Sequence, residues 1–68
     1  MPSSVIRSFR YLPAEKALEV IFVTGRRYRY LKVPEKLHRQ MRAAFSKGEF
    51  FNAHVRDHFA FERMESVT

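Results

Sequence analysis

Three stretches near the start of the chain alternate apolar and polar residues with a period of two, and the later stretches repeat at helical spacing. In Val5 to Tyr11, Val5, Phe9 and Tyr11 share one parity, with Ile6, Ser8 and Arg10 on the other. A strand sends successive side chains to opposite faces, so this stretch predicts a strand with one face covered. Leu12-Pro13-Ala14-Glu15-Lys16 interrupts it, because Pro13 cannot donate to a ladder and suits the second position of a turn. Ala17 to Thr24 alternates Leu18, Val20 and Phe22 against Glu19, Ile21 and Val23, residue types that favour strands. Gly25 can take the positive φ that a tight hairpin needs, and Arg27 to Val33 makes the third strand.

After the strands the period changes. Val33-Pro34 closes the sheet and opens a helix, with Pro34 expected at the first helical position. Leu37, Met41, Ala44 and Phe45 fall at i, i+4, i+7 and i+8 and form one apolar stripe, while Lys36, Arg39, Gln40 and Arg42 face solvent. Ser46 and Glu49 have the spacing of a capping box, which starts a short second helix holding Phe50, Phe51 and Val55 and ending near Arg56-Asp57. Phe59-Ala60-Phe61-Glu62-Arg63 is aromatic on alternate residues and fits either a short strand or an extended segment packed on the core. Strands followed by helices indicate an α+β class. The expected architecture is a three-stranded antiparallel β-meander followed by an amphipathic helix and a short second helix, with residues 1–68 as one domain.

Composition then narrows the chemistry. A chain of 68 residues buries only about 60% of the surface its unfolded form exposes, so its stability is marginal. Without cysteine it has neither disulfides nor thiolate zinc sites, and seven Phe and three Tyr must supply the packing instead. Thirteen Lys and Arg against seven acids leave a net charge of +6, and nine of the thirteen are Arg, whose planar fork suits phosphate. No apolar run approaches the roughly 20 residues of a membrane span. Met1 to Ser4 lacks the charged and apolar regions of a signal peptide, so the expectation is a cytoplasmic protein without a membrane partner.

Arg26-Arg27-Tyr28-Arg29-Tyr30 carries the most chemistry, since a pleated strand must part the tyrosines from Arg27 and Arg29. The hairpin loop decides which face each takes, because a one-residue slip reverses every side chain. A two- or four-residue loop sets the tyrosines beside Ile21 and Glu19. A three-residue loop, pairing Thr24 with Tyr28 or Val23 with Arg27, sets them beside Phe22, Val20 and Leu18. The three-residue loop is favoured because it leaves Arg27 and Arg29 facing water rather than buried unpaired. Tyr28 and Tyr30 are then mostly core, and they become stacking platforms only if the other pairing holds. Arg10, Arg26, Arg27, Arg29 and Lys32 are the candidate phosphate contacts, with Arg56 and Lys47 near the second helix as further ones.

The order Ser3-Ser4, Ile6, Tyr11, Leu18-x-Val20-x-Phe22, Gly25, Tyr28-x-Tyr30, Val33-Pro34, Ser46-x-Gly48-x-Phe50-Phe51-Asn52 and Arg56 resembles the KTSC domain. That family is named for the C-terminus of some lysyl-tRNA synthetases and also occurs as free-standing bacterial and phage proteins. The resemblance runs from about Ser3 to Arg63, and it implies a domain of unknown function for which RNA binding is suggested by the synthetase context. Phe59 and Phe61 depart from the family pattern, where aromatic residues bearing a hydroxyl are commoner.

The expectation is therefore a small non-catalytic domain that binds RNA, such as tRNA or another structured RNA, through an arginine-rich sheet face. The alternative is a protein-interaction module or homodimer that uses the exposed sheet face, with Ile21 and Val23, or an edge strand. An enzyme is not expected. His54 and His58 are four apart with Asp57 beside them, but a zinc site normally needs more ligands, so neither metal nor cofactor is expected. Ser46 has capping to do, and Ser3 and Ser4 have no recognisable base. Asn52 and Arg56, also four apart, are expected to satisfy loop backbone and to pair with a carboxylate or carbonyl, respectively.

Overall fold

The computed structural model describes residues 5–64; Ser3 and Ser4 and the rest of the N-terminus discussed above lie outside them. Six elements follow in order: β1 (Ile6–Leu12), β2 (Ala17–Phe22), β3 (Arg27–Tyr30), α1 (Glu35–Ala43), α2 (Lys47–His54) and β4 (Phe61–Met64). The sheet has four antiparallel strands in the order β1-β2-β3-β4, not the three expected. The fourth is the aromatic tail, whose Phe61 sits opposite Tyr30 and whose Arg63 sits opposite Tyr28. Cross-strand aromatic pairing fixes it there, and it takes up the backbone donors and acceptors that β3 would otherwise leave open.

Val20 pairs with Tyr28 and Leu18 with Tyr30, so the tyrosines share a face with the Leu18/Val20/Phe22 row. The hairpin closes with Phe22 N–H donating to the Arg26 carbonyl and Gly25 N–H to that of Phe22. The loop is thus the three residues Val23–Gly25, as long as expected but starting one residue earlier than the pair Val23–Arg27 and two earlier than the pair Thr24–Tyr28 would have it. Gly25 holds φ +94°, a value side-chain-bearing residues rarely adopt. At the other turn Glu15 N–H donates to Leu12 O, which puts Pro13 at the turn's second position as its fixed φ requires.

β1 contains a bulge between Ile6 and Ser8. The extra residue reverses the parity of Ile6, which leaves the side of Ser8 and Arg10 and enters the core at 5% exposure. The core is Ile6, Leu18, Val20, Tyr30, Val33, Met41, Phe51 and Val55, with Phe9, Tyr11, Phe22, Tyr28, Leu37, Phe50 and Phe59 packed against it.

α1 lies over β1, where His38 stacks on Tyr11 (centroids 5.1 Å apart, planes 14°) and meets Phe9 edge-on. Pro34 is its N-cap, in extended conformation, rather than its first helical residue. Tyr11 Oη donates to the Val33 carbonyl at 2.6 Å and Val33 N–H donates to Lys16 O, so the strand-to-helix connection is tied from two sides. The helix ends at Ala43 and the chain is extended at Ala44, where the Lys47 ammonium hydrogen-bonds the carbonyls of Arg42 and Ala44. Phe45 therefore falls outside the helix and is 91% exposed, contrary to its expected place in the apolar stripe. α2 starts at the Ser46 cap, with Glu49 N–H donating to Ser46 Oγ, but the return bond from the Ser46 N–H to the Glu49 carboxylate that a full capping box would add is not made among the described residues. It packs Phe51 edge-on against Phe22 and Tyr30.

Candidate functional site

The face of the sheet turned away from the helices carries a row of charges across all four strands. Register places Arg10 opposite Glu19, Glu19 opposite Arg29, and Arg29 opposite Glu62. Signs alternate along this row, and its formal charges sum to zero. Glu19 Oε1 accepts from Arg10 Nε and its Oε2 from the Arg29 guanidinium, both at 2.9 Å, and Arg29 also approaches Glu15 at 3.5 Å. Glu19 is only 8% exposed. The hydrogen bond from Arg29 is the main reason its carboxyl stays ionised below the usual range, outweighing the burial that opposes it. The same pairing raises the Arg29 pKa further.

Arg27 and Arg29 do lie on the side opposite the tyrosines, but this face is not the concentrated cationic surface expected. Arg10 and Arg29 spend their charge on Glu19. Arg27 is exposed with Ile21 and Met64 as cross-strand neighbours. Ile21 and Val23 do not form the expected patch on it either, because Val23 belongs to the hairpin loop. Lys32 lies beyond β3 at φ +56°, in the connection to α1.

Two of the unbridged cations, Arg26 and Arg56, meet elsewhere. Arg26, Tyr28 and Tyr30 are two apart along the strand and share the opposite face. Together with Val5, Phe22, Val23, Thr24, Phe51, Asn52 and Arg56 they line a cleft of about 330 Å³ between the hairpin and the C-terminal half of α2. That size is at the lower end of small-ligand sites, about 300–1,000 Å³. Among the described residues no carboxylate bridges Arg26 or Arg56, and no hydrogen bond occupies the side chain of Asn52 or the hydroxyl of Tyr28 or Tyr30. Asn52 and Arg56 thus do not take the structural partners expected of them. Burial first, then Tyr28 and to a smaller degree Asp57, raises the Tyr30 pKa against the opposing charge of Arg56, so its hydroxyl keeps its proton. The lining thus combines two guanidinium groups, two phenols and an amide with apolar side chains and holds no acid itself, although Asp57 lies near enough to act on Tyr30; the set suits an anionic ligand with a flat apolar part.

Phe61 borders this site and was missing from the sequence-based set. Its ring lies over Tyr28 at 5.3 Å with planes 9° apart and is 53% exposed. The signals that mark the cleft in the sequence are the shared parity of Arg26 with the tyrosines and the i, i+4 spacing of Asn52 and Arg56. His54 and His58 do not share a helix face, since α2 ends at His54. Among the described residues no cluster of three or more His, Asp or Glu side chains could hold a metal ion, and no helix is long and apolar enough to cross a membrane.

Comparison with known proteins identifies the scaffold. The KTSC domain family model matches residues 2–59. The chain is 33% identical over 61 residues to the lysine–tRNA ligase of Nostoc sp. and 36% identical to that of Nostoc punctiforme. Each alignment covers 90% of this chain and 11% of the ligase, so the chain spans a small fraction of these relatives. A protein of Stutzerimonas stutzeri is 35% identical over 66 residues, covering 96% of this chain and 93% of its own length. The crystal structure of a KTSC domain protein from Yersinia pestis superposes with a TM-score of 0.86 at 34% identity, over 96% of this chain and 94% of the other. Shared sequence over most of the described residues and a shared fold lead to one conclusion: this chain belongs to the KTSC domain family.

Proposed function

We propose that this chain is a non-catalytic RNA-binding domain that holds unpaired nucleotides, free or within a structured RNA such as tRNA, at the cleft between the β2–β3 hairpin and α2. The observation that carries the reading is the meeting there of Arg26 and Arg56, free of carboxylate partners, with an aromatic wall and two tyrosine hydroxyls. Single-stranded RNA is held by this combination of fixed positive charge and aromatic surface. Relatives named lysine–tRNA ligase embed a similar segment in an enzyme whose substrate is an RNA, which supports the same reading. The neutral charge row supports a structural reading of the open sheet face, so Arg10 and Arg29 are left out of the proposed contact set. Arg27 and Lys32 remain as peripheral charges.

Fluorescence anisotropy with labelled single-stranded RNA, tRNA and duplex DNA at two salt concentrations tests this. With about three phosphates neutralised, log K against log salt should fall with a slope of about −2. Replacing Arg26 and Arg56 together by Ala should weaken RNA binding on the order of tenfold, and Arg10→Ala should leave it unchanged. No binding to any of the three at low salt would end the proposal.

A second reading, a homodimer or protein-interaction module built on an edge strand, is favoured by one observation: β4 is a sheet edge carrying the half-exposed Phe61. Its signature is dimerisation that rises with concentration in light scattering and survives moderate salt.

A further inference from the structure

Phe61 is an unusual aromatic for this domain. One face of its ring is covered, because it lies nearly parallel to Tyr28 at 5.3 Å and tilts at 38° against Tyr30 at 5.4 Å. Yet 53% of the residue is open to solvent, which leaves the outward ring face uncovered. Tyr28 itself is occupied: Phe61 covers it, Phe22 meets it edge-on at 5.5 Å, and Tyr30 flanks it. The tyrosines can therefore offer hydroxyls at the cleft, but not a free ring face. The exposed flat surface at this end of the molecule belongs to Phe61.

Charge surrounds that surface on the same side of the sheet. Arg63 is directly opposite Tyr28 across the β3–β4 pair, so it shares the face of Phe61, two residues away on the same strand. It is exposed and, among the described residues, has no carboxylate bridge. Arg26 and Arg56 line the adjoining cleft, which Tyr28 and Tyr30 join to Phe61. An aromatic face with Arg63 beside it on β4, Arg26 and Arg56 lining the adjoining cleft, and no carboxylate bridge to any of the three among the described residues complements a flat base joined to phosphates.

We infer that Phe61 is the stacking platform for one unpaired nucleobase, with Arg63 and the cleft arginines holding the flanking phosphates. The inference rests on the RNA-binding reading and adds the residue that takes the base. An edge strand's exposed phenyl ring alone would fit a protein partner equally well; Arg63 beside it and the two arginines of the adjoining cleft are what select an anionic one.

The chain contains no tryptophan, so Phe61→Trp introduces a single reporter at the platform. Titration of this variant with a short unstructured RNA should quench its emission as the base stacks, with saturation at the affinity measured by anisotropy on a labelled strand. Phe61→Leu retains apolar cover for Tyr28 but has no π-face; it should keep the thermal midpoint near that of the parent and lose about tenfold in affinity, the usual worth of one stacked base. If RNA binds the parent while the Trp emission stays unchanged and Phe61→Leu binds equally well, the platform assignment is overturned and RNA binding stands. If no RNA binds the parent at low salt, both fall together. A blue shift of the Trp emission that grows with protein concentration alone would instead assign Phe61 to contact with a second copy of the chain, and would overturn the inference.

Discussion

Glu19 holds an acid where alternation alone would suggest an ordinary exposed residue of a polar sheet face. Its neighbours make the difference: Arg10 and Arg29 are its cross-strand partners on both sides, and each donates at 2.9 Å. Glu19→Gln removes the charge while keeping the shape. Arg29, whose side chain is about a quarter exposed, then loses the stronger of its two carboxylate partners. Hydrogen bonds to charged groups contribute about 1.5–3 kcal/mol, so a loss of about 2 kcal/mol is expected in urea unfolding, with the m-value unchanged. In a chain of this size total stability is about 3–10 kcal/mol, which makes this a large share. Arg10→Ala is expected to cost far less, since that side chain is mostly in water.

The elements divide by how local their causes are. The Pro13 turn, the Ser46 cap and the three-residue hairpin loop are written into adjacent residues and form as the sequence indicates. Gly25 allows a sharp element-level test. A Cβ there would meet nothing within 4 Å, so Gly25→Ala carries no clash, and its cost is conformational alone. Holding an alanine at φ +94° is expected to destabilise the domain by about 1–2 kcal/mol in chemical denaturation, against a gain of under about 1 kcal/mol had φ been negative. The misread elements turned on contacts that the hydrophobic period does not carry. Phe45 continues the α1 period in sequence, but the helix stops before it, and Lys47 from the following element holds the terminal carbonyls. The bulge at the start of β1 likewise follows from the fit of Ile6 against Phe22, which no local pattern encodes.

At the scale of the whole molecule, two of the described residues, His38 and Glu19, have shifted pKa values that make stability respond to acid. His38 packs from α1 against the β1 aromatics, where burial first and the Arg42 charge second hold its pKa below 6.5. Above that value it is neutral folded and unfolded alike; as pH falls below it the unfolded chain takes the proton more readily, and stability is lost. Glu19 is the second group. Its folded pKa lies below 4.5, so its contribution is complete above that value and lost as pH falls through the folded one. Thermal midpoints measured from pH 8 to pH 3 should therefore be flat near neutrality and drop in two stages. His38→Phe should abolish the upper stage and spare the lower, while Glu19→Gln should do the reverse.

The same division separates what each level of description decides. Alternation, turn residues and capping determined the strand-then-helix order, the hairpin loop length and the side of the sheet on which Tyr28 and Tyr30 lie, because these depend on neighbours within a few residues. Only the tertiary structure decided that the aromatic tail returns as β4, that Glu19 neutralises the sheet arginines, and that Arg26, Tyr28, Tyr30, Asn52 and Arg56 meet at one cleft. A guanidinium group is free or spent according to which carboxylate the register sets opposite it, and register is a relation between strands that no single stretch of chain contains.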